Sequence, residues 1–418
     1  MSASEDKKRL LSNFFSLSVL QGMNMLLPLI TLPYIVQALG TEMFGLINFS
    51  LSIVMYLFIL VSFGFDLSAT RKISMVREEK EKVQEIFSTV MTIKFFLSII
   101  AFTILTILIL TFDMFYEYAL LYYVTFGIVI GNFLFPTWLF QGMENMKYIT
   151  YINFLARVLF TILIFVLVKE SDDYIYVPLL NSLGLIFGGL YSLWIIPKLF
   201  NISFKIPTFP VIVAEFKESV HFFLSRLANN GSRFYATTII GIVFGNTIVG
   251  YYTMVEKLYY AFLSVGGIVS QTIYPYMSRT RNIQFFKKIF FLVTVGAIAI
   301  VIPLFYFHQE ILFLLFSIDN EMLSINFMIM FSFAVIGVST DLLGYPLLAA
   351  FGHNKEANNS LIYASFVYVI YISIAAFVIK DIYFVTASVI VYVFTTLCFR
   401  LYYIYKTGIF KSKEEVEV

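Results

Sequence analysis

Long apolar stretches without charge constrain this chain more than any other feature of its sequence. The first of them contains no charged residue from Leu10 to Thr41. A helix that spans a bilayer needs about 20 mostly apolar residues, because the hydrocarbon core is about 30 Å thick. Of all 418 residues, 60% are hydrophobic and 13% are charged, whereas a soluble domain has about 45–50% apolar and about 25% charged residues. The bilayer is therefore the solvent for most of the chain.

Twelve stretches of this kind predict the fold class. We expect an all-α integral membrane protein with about twelve transmembrane helices, because each gap between the stretches carries charged residues, Pro or Gly. The predicted spans are residues 11–36, 43–66, 87–111, 118–141, 149–168, 174–196, 218–243, 248–275, 289–308, 323–350, 358–379 and 382–404. The chain starts with basic residues, as a signal peptide does, but the apolar core of a signal peptide has only about 7–15 residues. We therefore interpret the first stretch as a span that is retained.

The distribution of Lys and Arg predicts the orientation of the spans. With the N-terminus inside, the predicted cytoplasmic segments hold 21 Lys and Arg residues, whereas the opposite loops hold two, Lys169 and Lys380. These cytoplasmic segments are 1–10, 67–86, 142–148, 197–217, 276–288, 351–357 and 400–418, so Arg400 counts as a residue at the inner end of the last span. Because Lys and Arg concentrate on the cytoplasmic side of membrane proteins, we expect both termini in the cytoplasm.

The chain shows signs of an internal repeat. A linker with three prolines, residues 197–217, divides it near its middle. On either side, Gly40 matches Gly245 at a turn between two spans, and Pro136 matches Pro346 near the end of a span. We therefore predict two six-helix bundles, residues 1–205 and 206–418, related by a pseudo-two-fold axis along the membrane normal, with the substrate site between them. The alternative is a chance match of small residues in apolar sequence.

Charged residues inside the predicted spans are the most informative candidates for a functional site. Each one costs at least about 2.5–3.5 kcal/mol at the centre of a helix in a bilayer. On the span 218–243, Arg226 and Arg233 enclose Asn229 and Asn230, and helical spacing places all four on one face. Such a face cannot contact lipid tails, so we expect it to line a polar cavity or a buried network.

Basic residues outnumber acidic ones inside these spans. Two acids, Glu256 and Asp341, stand against five bases, which are Lys94, Arg157, Arg226, Arg233 and Lys257. This excess favours an anionic substrate, and the planar guanidinium of Arg can form two parallel hydrogen bonds with a phosphate. The alternative is that the arginines pair with the two acids and only stabilise the bundle. Since two acids cannot neutralise five bases, we favour the cavity.

Other ionisable residues allow further roles. The two acids could bind a coupling proton or sodium ion, although we favour the role of salt-bridge partner beside Arg. Lys94 either faces the cavity or extends its ammonium group to the membrane surface. Asp66 lies near the inner end of its span, so we expect it to pair with Arg71 or Lys72.

Several classes of function lack the residues that they need. One cysteine, Cys398, and three widely spaced histidines predict no metal site. No Walker loop occurs, so we expect neither a nucleotide cofactor nor ATP as the direct energy source. The net charge of +2 gives no sign of a nucleic-acid partner. An enzyme such as a membrane glycosyltransferase would need catalytic groups on sizeable loops, which this sequence does not predict.

Three segments carry a resemblance to a known family. The most specific is Pro136 to Met146, PTWLFQGMENM, in which Pro, Trp, Gln-Gly and an acidic residue follow in order. The others are residues 18–40, with Gln21, Asn24 and Leu39-Gly40, and residues 222–235. The chain resembles the polysaccharide flippases (the Wzx type, translocases of O-antigen and capsule repeat units), within the superfamily of multidrug extruders and lipid II flippases. Lipid II flippases usually have two more helices than predicted here.

The resemblance implies a function by alternating access around a positively charged cavity. The substrate would be an undecaprenyl-pyrophosphate-linked oligosaccharide, carried across the bacterial plasma membrane for surface polysaccharide biosynthesis. Partners would be membrane lipid and the polysaccharide polymerase and chain-length proteins. In this hypothesis Arg157, Arg226, Arg233 and Lys257 contact the pyrophosphate or acidic sugars, and Asn24, Asn229 and Asn230 contact sugar hydroxyls. The alternative is an ion-coupled exporter of organic cations, in which Asp341 or Glu256 is essential and the arginines are dispensable.

Overall fold

The computed structural model describes the backbone of residues 3–410 and, within it, the side chains from Leu27 onward except those of residues 225 and 228–230. Every regular element in residues 3–410 is helical. The α-helices are α1 (Ala3–Ser62), α2 (Phe65–Val76), α3 (Lys80–Thr111), α4 (Asp113–Tyr116), α5 (Ala119–Leu134), α6 (Thr137–Gly142), α7 (Met146–Leu167), α8 (Tyr176–Phe200), α9 (Phe209–Phe244), α10 (Asn246–Thr280), α11 (Ile283–Tyr306), α12 (His308–Phe316), α13 (Glu321–Ser332), α14 (Ala334–Leu342), α15 (Asn354–Ile374) and α16 (Ile382–Thr407). A 3₁₀-helix, Ser171–Ile175, precedes α8, and π-helical segments, Leu343–Ala349 and Ala375–Ile379, follow α14 and α15.

Many of these helices are long and apolar enough to cross a membrane. Among the described residues, nine helical runs meet that requirement, and the first of them, Leu27–Val76, covers part of the predicted span 11–36 and all of the span 43–66. The predicted spans 218–243 and 248–275 lie in α9 and α10, which carry several ionisable residues. The all-α integral membrane fold class is confirmed, and the count of twelve spans stays a prediction.

The chain forms two compact units, Met1–Phe234 and Tyr235–Val418. The boundary between them lies inside α9, because the first part of this helix packs on α1 and α2. We predicted two six-helix bundles, residues 1–205 and 206–418, and defined them by the order of the helices along the chain. That prediction is not tested by the contacts within each unit.

Two glycines share one unusual backbone conformation. Gly40 breaks α1 with φ 76° and ψ 168°, and Gly245 separates α9 from α10 with φ 85° and ψ 174°. This region of backbone space is open almost only to glycine, because a Cβ atom would clash with the chain itself. The two positions are those that the sequence matched as turns between consecutive spans. Their shared conformation supports the internal repeat, which stays a prediction.

Glycines also let helices of the first unit approach closely. On α5, a Cβ atom at Gly131 would lie 2.4 Å from the Cβ of Leu185 on α8. In the opposite direction, a Cβ at Gly189 of α8 would lie 2.6 Å from the Cβ of Leu134. Because lipid tails supply no hydrophobic driving force between helices, close packing of small residues is a main source of helix association in a bilayer.

The second unit has a compact apolar cluster around the π-helical segment after α14. Leu347 and Leu348 are fully buried there, with Met277 of α10, Phe286 of α11 and Ile404 of α16. Pro346 lies inside this segment and cannot donate a backbone hydrogen bond. A π-helical turn in a long helix commonly marks a functional position, and here it lies next to the ion pair of Asp341 and the buried Arg400 described below.

Candidate functional site

Arg157 lies near the middle of α7 and is half-buried. Its guanidinium forms no ion pair and no side-chain hydrogen bond with any residue whose side chain the structure describes. Asn153, one turn earlier, donates its amide to the carbonyl of Ile149 at 2.8 Å. A cation at this depth of a spanning helix is costly without an anion. Arg157 is therefore a candidate for contact with an anionic substrate.

Arg226 of α9 forms a long ion pair with Asp66 of α2. Its Nη2 atom lies 3.9 Å from Oδ2 of Asp66, and both side chains are more than a third exposed. Its buried Nε atom has no hydrogen-bond partner among the described residues. The expected pairing of Asp66 with Arg71 or Lys72 is wrong. Since exposed ion pairs contribute only about 0–1 kcal/mol, Arg226 can still donate to another acceptor.

Lys72 takes part in a different contact between α2 and α9. Its ammonium lies 2.7 Å from carboxylate oxygens of both Glu215 and Glu218. These two acids lie near the start of α9, outside the predicted span 218–243 or at its edge, and Lys72 pairs with both of them. Sequence spacing predicted that Asp66 pairs with a residue nearby in the chain, whereas the fold brings the distant helix α9 beside α2.

Aromatic stacking fixes α9 against the junction of α1 and α2. Phe63 stacks on Phe216 and Phe223 with ring centroids 4.6 and 4.9 Å apart. Gly64 has a φ of 75°, and a Cβ atom there would lie 2.6 Å from the Cβ of Phe222. Only glycine meets both requirements at position 64, because the positive φ disfavours other residues and a Cβ atom would clash with Phe222. It places Asp66 and Arg226 next to each other.

The remaining predicted site residues have the following positions. Arg233 is exposed on α9, and Glu256 and Lys257 are half-buried on α10. The side chains of Asn24, Asn229 and Asn230 lie outside the described residues. Arg157, Arg226 and Arg233 belong to the first unit, and Glu256, Lys257 and Asp341 belong to the second. The predicted roles of these residues in substrate binding stay predictions.

Lys94 has neither of the environments expected from the sequence. Its side chain is only 2% exposed, and its ammonium donates to the backbone carbonyl of Asn132 at 2.8 Å and to the side-chain oxygen of Asn132 at 3.2 Å. Ser62 donates to the same side-chain oxygen at 3.2 Å. Pro136 has no N–H to offer the Asn132 carbonyl, so Lys94 supplies the missing donor. Lys94 is therefore a structural residue of the first unit.

Arg400 is a buried cation, an environment that the sequence analysis did not predict for it. The sequence predicts it at the inner end of the last span, and in the structure it lies inside α16 and is 2% exposed. Its Nη1 atom donates to the carbonyl of Thr340 and lies 3.7 Å from Oδ1 of Asp341. Its Nε donates to Oγ of Ser360 at 3.3 Å. Asp341 thus has the predicted role of salt-bridge partner, although its partner was not foreseen.

A helical pattern in the sequence could have revealed Arg400. Val393, Thr396, Arg400 and Ile404 follow at spacings of three or four residues, and all four are buried in the structure. Residues at such spacing share one helix face, so the pattern predicts that Arg400 lies on the buried face of the last span, residues 382–404. The guanidinium is accommodated by Gly344, where a Cβ atom would lie 2.7 Å from Cζ of Arg400.

Comparison with known proteins identifies the family. Residues 10–281 match the family described as "Polysaccharide biosynthesis protein". The chain belongs to this family. The resemblance stated from the residues between Pro136 and Met146 is thereby confirmed, and that segment lies inside the matched region.

A curated relative supports the same assignment. The "Putative O-antigen transporter" of Escherichia coli (strain K12) is 30% identical to this chain over 275 residues. The alignment covers 66% of this chain and 66% of the relative, so the chain spans about two thirds of that protein's length.

Solved structures establish the fold over almost the whole chain. A structure described as "Lipid II flippase MurJ, inward closed conformation" superposes with a TM-score of 0.70 at 14% identity, over 95% of this chain and 87% of that one. An inward-facing multidrug resistance MATE family transporter of the MOP superfamily gives a TM-score of 0.69 at 14% identity, over 96% and 99%. At this identity the likeness shows the fold alone, which this chain shares with both of these membrane proteins.

Proposed function

We propose that this protein is a flippase that moves a lipid-linked oligosaccharide, an undecaprenyl pyrophosphate bearing a repeat unit, across the bacterial plasma membrane. The half-buried guanidinium of Arg157, with no ion pair among the described residues, carries the proposal. Family membership and the O-antigen transporter relative support it. The flippase named among the structural neighbours supports it at the level of the fold.

The chemistry of the substrate explains why basic residues are needed inside the spans. A pyrophosphate carries negative charge that lipid tails cannot solvate, so cationic side chains along its path must stabilise it. Charge-assisted hydrogen bonds from a guanidinium are about twice as strong as neutral ones. Arg157, Arg226, Arg233 and Lys257 would bind the pyrophosphate or acidic sugars. Asn24, Asn229 and Asn230 would bind sugar hydroxyls, because amides both donate and accept hydrogen bonds.

The organisation of the chain belongs to the same proposal. Two six-helix bundles, residues 1–205 and 206–418, would alternate in exposing the cavity to each side of the membrane. The N- and C-termini would lie in the cytoplasm, as the Lys and Arg bias predicts. The protein would act as a transporter and not as an enzyme, together with the polysaccharide polymerase and chain-length proteins.

An ion-coupled exporter of organic cations is the second candidate, because a multidrug transporter has the same fold. Such a protein would need a free carboxylate in its binding site. Asp341 lies 3.7 Å from the buried guanidinium of Arg400, which opposes a role as a free acid. Glu256, half-buried on α10, is the second acid that the sequence offers for ion coupling.

Complementation of a bacterium that lacks its own repeat-unit flippase tests the proposal. Surface glycan and accumulated lipid-linked precursor are measured together, with membrane-inserted protein quantified in the same cells. The protein should restore surface glycan and clear the precursor in a host whose glycan it accepts, so a panel of hosts with different repeat units is used. No restoration in any host, combined with efflux of organic cations that depends on Glu256, would refute the flippase.

Arg157→Gln is the decisive variant in that assay. Loss of a charge-assisted hydrogen bond of about 1.5–3 kcal/mol should reduce flux about 10- to 100-fold. Arg157→Lys should retain part of the activity because it keeps the charge. Lys169→Gln, an exposed residue in a predicted outer loop, is the matched control and should transport normally. Normal flux with Arg157→Gln would remove the basis of the proposal.

A further inference from the structure

The first unit contains an apolar groove to which the proposed mechanism gives no role. Its volume is about 970 Å³, and it lies between α3, α5, α8 and the segment 201–208 that leads into α9. Ligand pockets typically enclose about 300–1,000 Å³, so the groove is as large as a pocket for a sizeable ligand. Phenylalanines form much of its lining, namely Phe87, Phe95, Phe96, Phe133, Phe204 and Phe209.

The wall formed by segment 201–208 is fixed in place by α3. The backbone N–H of Ser203 donates to Oε1 of Gln84 at 3.1 Å, and the N–H of Lys205 donates to Oγ of Ser88 at 3.0 Å. Ile202 anchors the segment and is 2% exposed. The groove is therefore formed before any ligand arrives, which reduces the entropic cost of binding.

The open side of the groove remains apolar. Phe204 is 55% exposed, Ile206 is 89% exposed and Phe209 is 76% exposed. All three line the groove, in a linker that the sequence places at the cytoplasmic edge of the membrane. Apolar side chains concentrated at such an edge are favourable only if hydrocarbon covers them, since each Å² of apolar surface left in water costs about 25 cal/mol.

Two lysines neighbour lining residues of the groove in the sequence. Lys205 lies between Phe204 and Ile206 in the sequence, and Lys198 directly follows Pro197, another residue of the lining. Both lysines are exposed, and neither forms an ion pair within the described part of the chain. The ammonium of Lys198 lies 3.3 Å from the centre of the Trp194 ring. An apolar groove beside two cations suits a ligand with a hydrocarbon chain and a negatively charged end.

We infer that this groove binds the isoprenoid chain of the lipid-linked substrate, with its phosphate next to Lys198 and Lys205. This inference rests on the proposed function. The groove would hold the carrier lipid by its tail at the cytoplasmic side, while the arginines inside the spans receive the pyrophosphate and the glycan. The phenylalanine-lined walls can contact the many carbon atoms of a methyl-branched chain.

Photocrosslinking of the full chain tests this inference. The purified protein is placed in phosphatidylcholine nanodiscs with a polyprenyl monophosphate that carries a diazirine on its chain and no sugar. Crosslinked peptides should come from residues 87–96 or 202–212. Unlabelled polyprenyl phosphate should compete, whereas phosphatidylglycerol at the same mole fraction should not. Crosslinks elsewhere, or equal competition by phosphatidylglycerol, would overturn the inference.

Two sets of variants separate the lysines from the groove. The double variant Lys198→Gln/Lys205→Gln should lower crosslinking about tenfold, as expected for about 1.4 kcal/mol, whereas the control Lys380→Gln should not. Thr92→Trp fills the groove and should abolish crosslinking, whereas Thr103→Trp, an exposed position elsewhere on α3, should not. Unchanged crosslinking with Thr92→Trp refutes the site.

Crosslinking and complementation, measured on the same protein, distinguish this inference from the proposed function. Crosslinking in the groove without restored surface glycan in any complementation host would leave the groove intact and contradict the flippase. Restored surface glycan without crosslinking in the groove would support the flippase and contradict the groove.

Discussion

The ammonium of Lys94 donates a 2.8 Å hydrogen bond to the backbone carbonyl of Asn132, thirty-eight residues away in the sequence. This carbonyl would otherwise lack a donor, because the residue four positions later is Pro136. A buried charge inside a span normally indicates a functional residue, but here it completes the backbone hydrogen bonding of a neighbouring helix.

Lys94→Met should therefore destabilise the protein. The change keeps the length of the side chain but leaves the Asn132 carbonyl without its donor, a loss of about 1–3 kcal/mol. The melting temperature of the purified protein in detergent with lipid measures the effect. Thr103→Ala, an exposed position on the same helix, is the control and should melt as the wild type does. An unchanged melting temperature for Lys94→Met would show that the hydrogen bond contributes nothing.

Gly344→Ala should also lower stability, because its Cβ would lie 2.7 Å from Cζ of the buried Arg400. Overpacking in a core typically costs about 1–3 kcal/mol. The effect should largely disappear in Gly344→Ala/Arg400→Ala relative to Arg400→Ala alone, since the clashing atoms are then absent. Gly267→Ala, which has open space around it, is the control. Equal losses in both backgrounds would mean that the guanidinium is not the obstacle.

The ion pair of Asp341 and Arg400 predicts an unequal response to its two removals. Asp341→Asn leaves a 2% exposed cation without its anion, a situation that costs up to about 3–5 kcal/mol. Arg400→Met leaves Asp341, which is 45% exposed and therefore not enclosed by other side chains, so the loss should be smaller. Melting temperatures of the two single variants measure this order, and an Arg400→Met variant that melts below Asp341→Asn would contradict it. The double variant leaves no unpaired cation, so a double variant less stable than Asp341→Asn would also contradict the prediction.

Gly40→Ala and Gly245→Ala should have similar effects if the two halves are repeats. Both glycines have φ near +80° and open space around them, so any loss comes from the backbone alone. Such strain costs about 1–3 kcal/mol. Gly267→Ala, in ordinary helical conformation, should instead be neutral or stabilising by about 0.5–1 kcal/mol. A loss at only one of the two glycines would argue against equivalent turns.

The sequence was sufficient to predict the fold class and the approximate positions of the helices. The property that defines a span, about 20 apolar residues in a row, is local in the chain because the bilayer has a fixed thickness. The break at Gly40 and its match at Gly245 could also be predicted from the sequence, because a backbone conformation that almost only glycine adopts requires a glycine at that position.

The partners of the charged residues were decided by the tertiary structure alone. Lys94 reaches Asn132, Arg400 reaches Thr340 across 60 positions, and Asp66 faces Arg226 of a distant helix. Burial of Arg400 depends on Gly344, whose missing side chain leaves room for a guanidinium. A charge pair is stabilised by proximity in space and by low dielectric, and neither is a property of neighbouring positions in the sequence. Spacing therefore shows that a charge needs a partner, and only the packing of the helices determines which one it has.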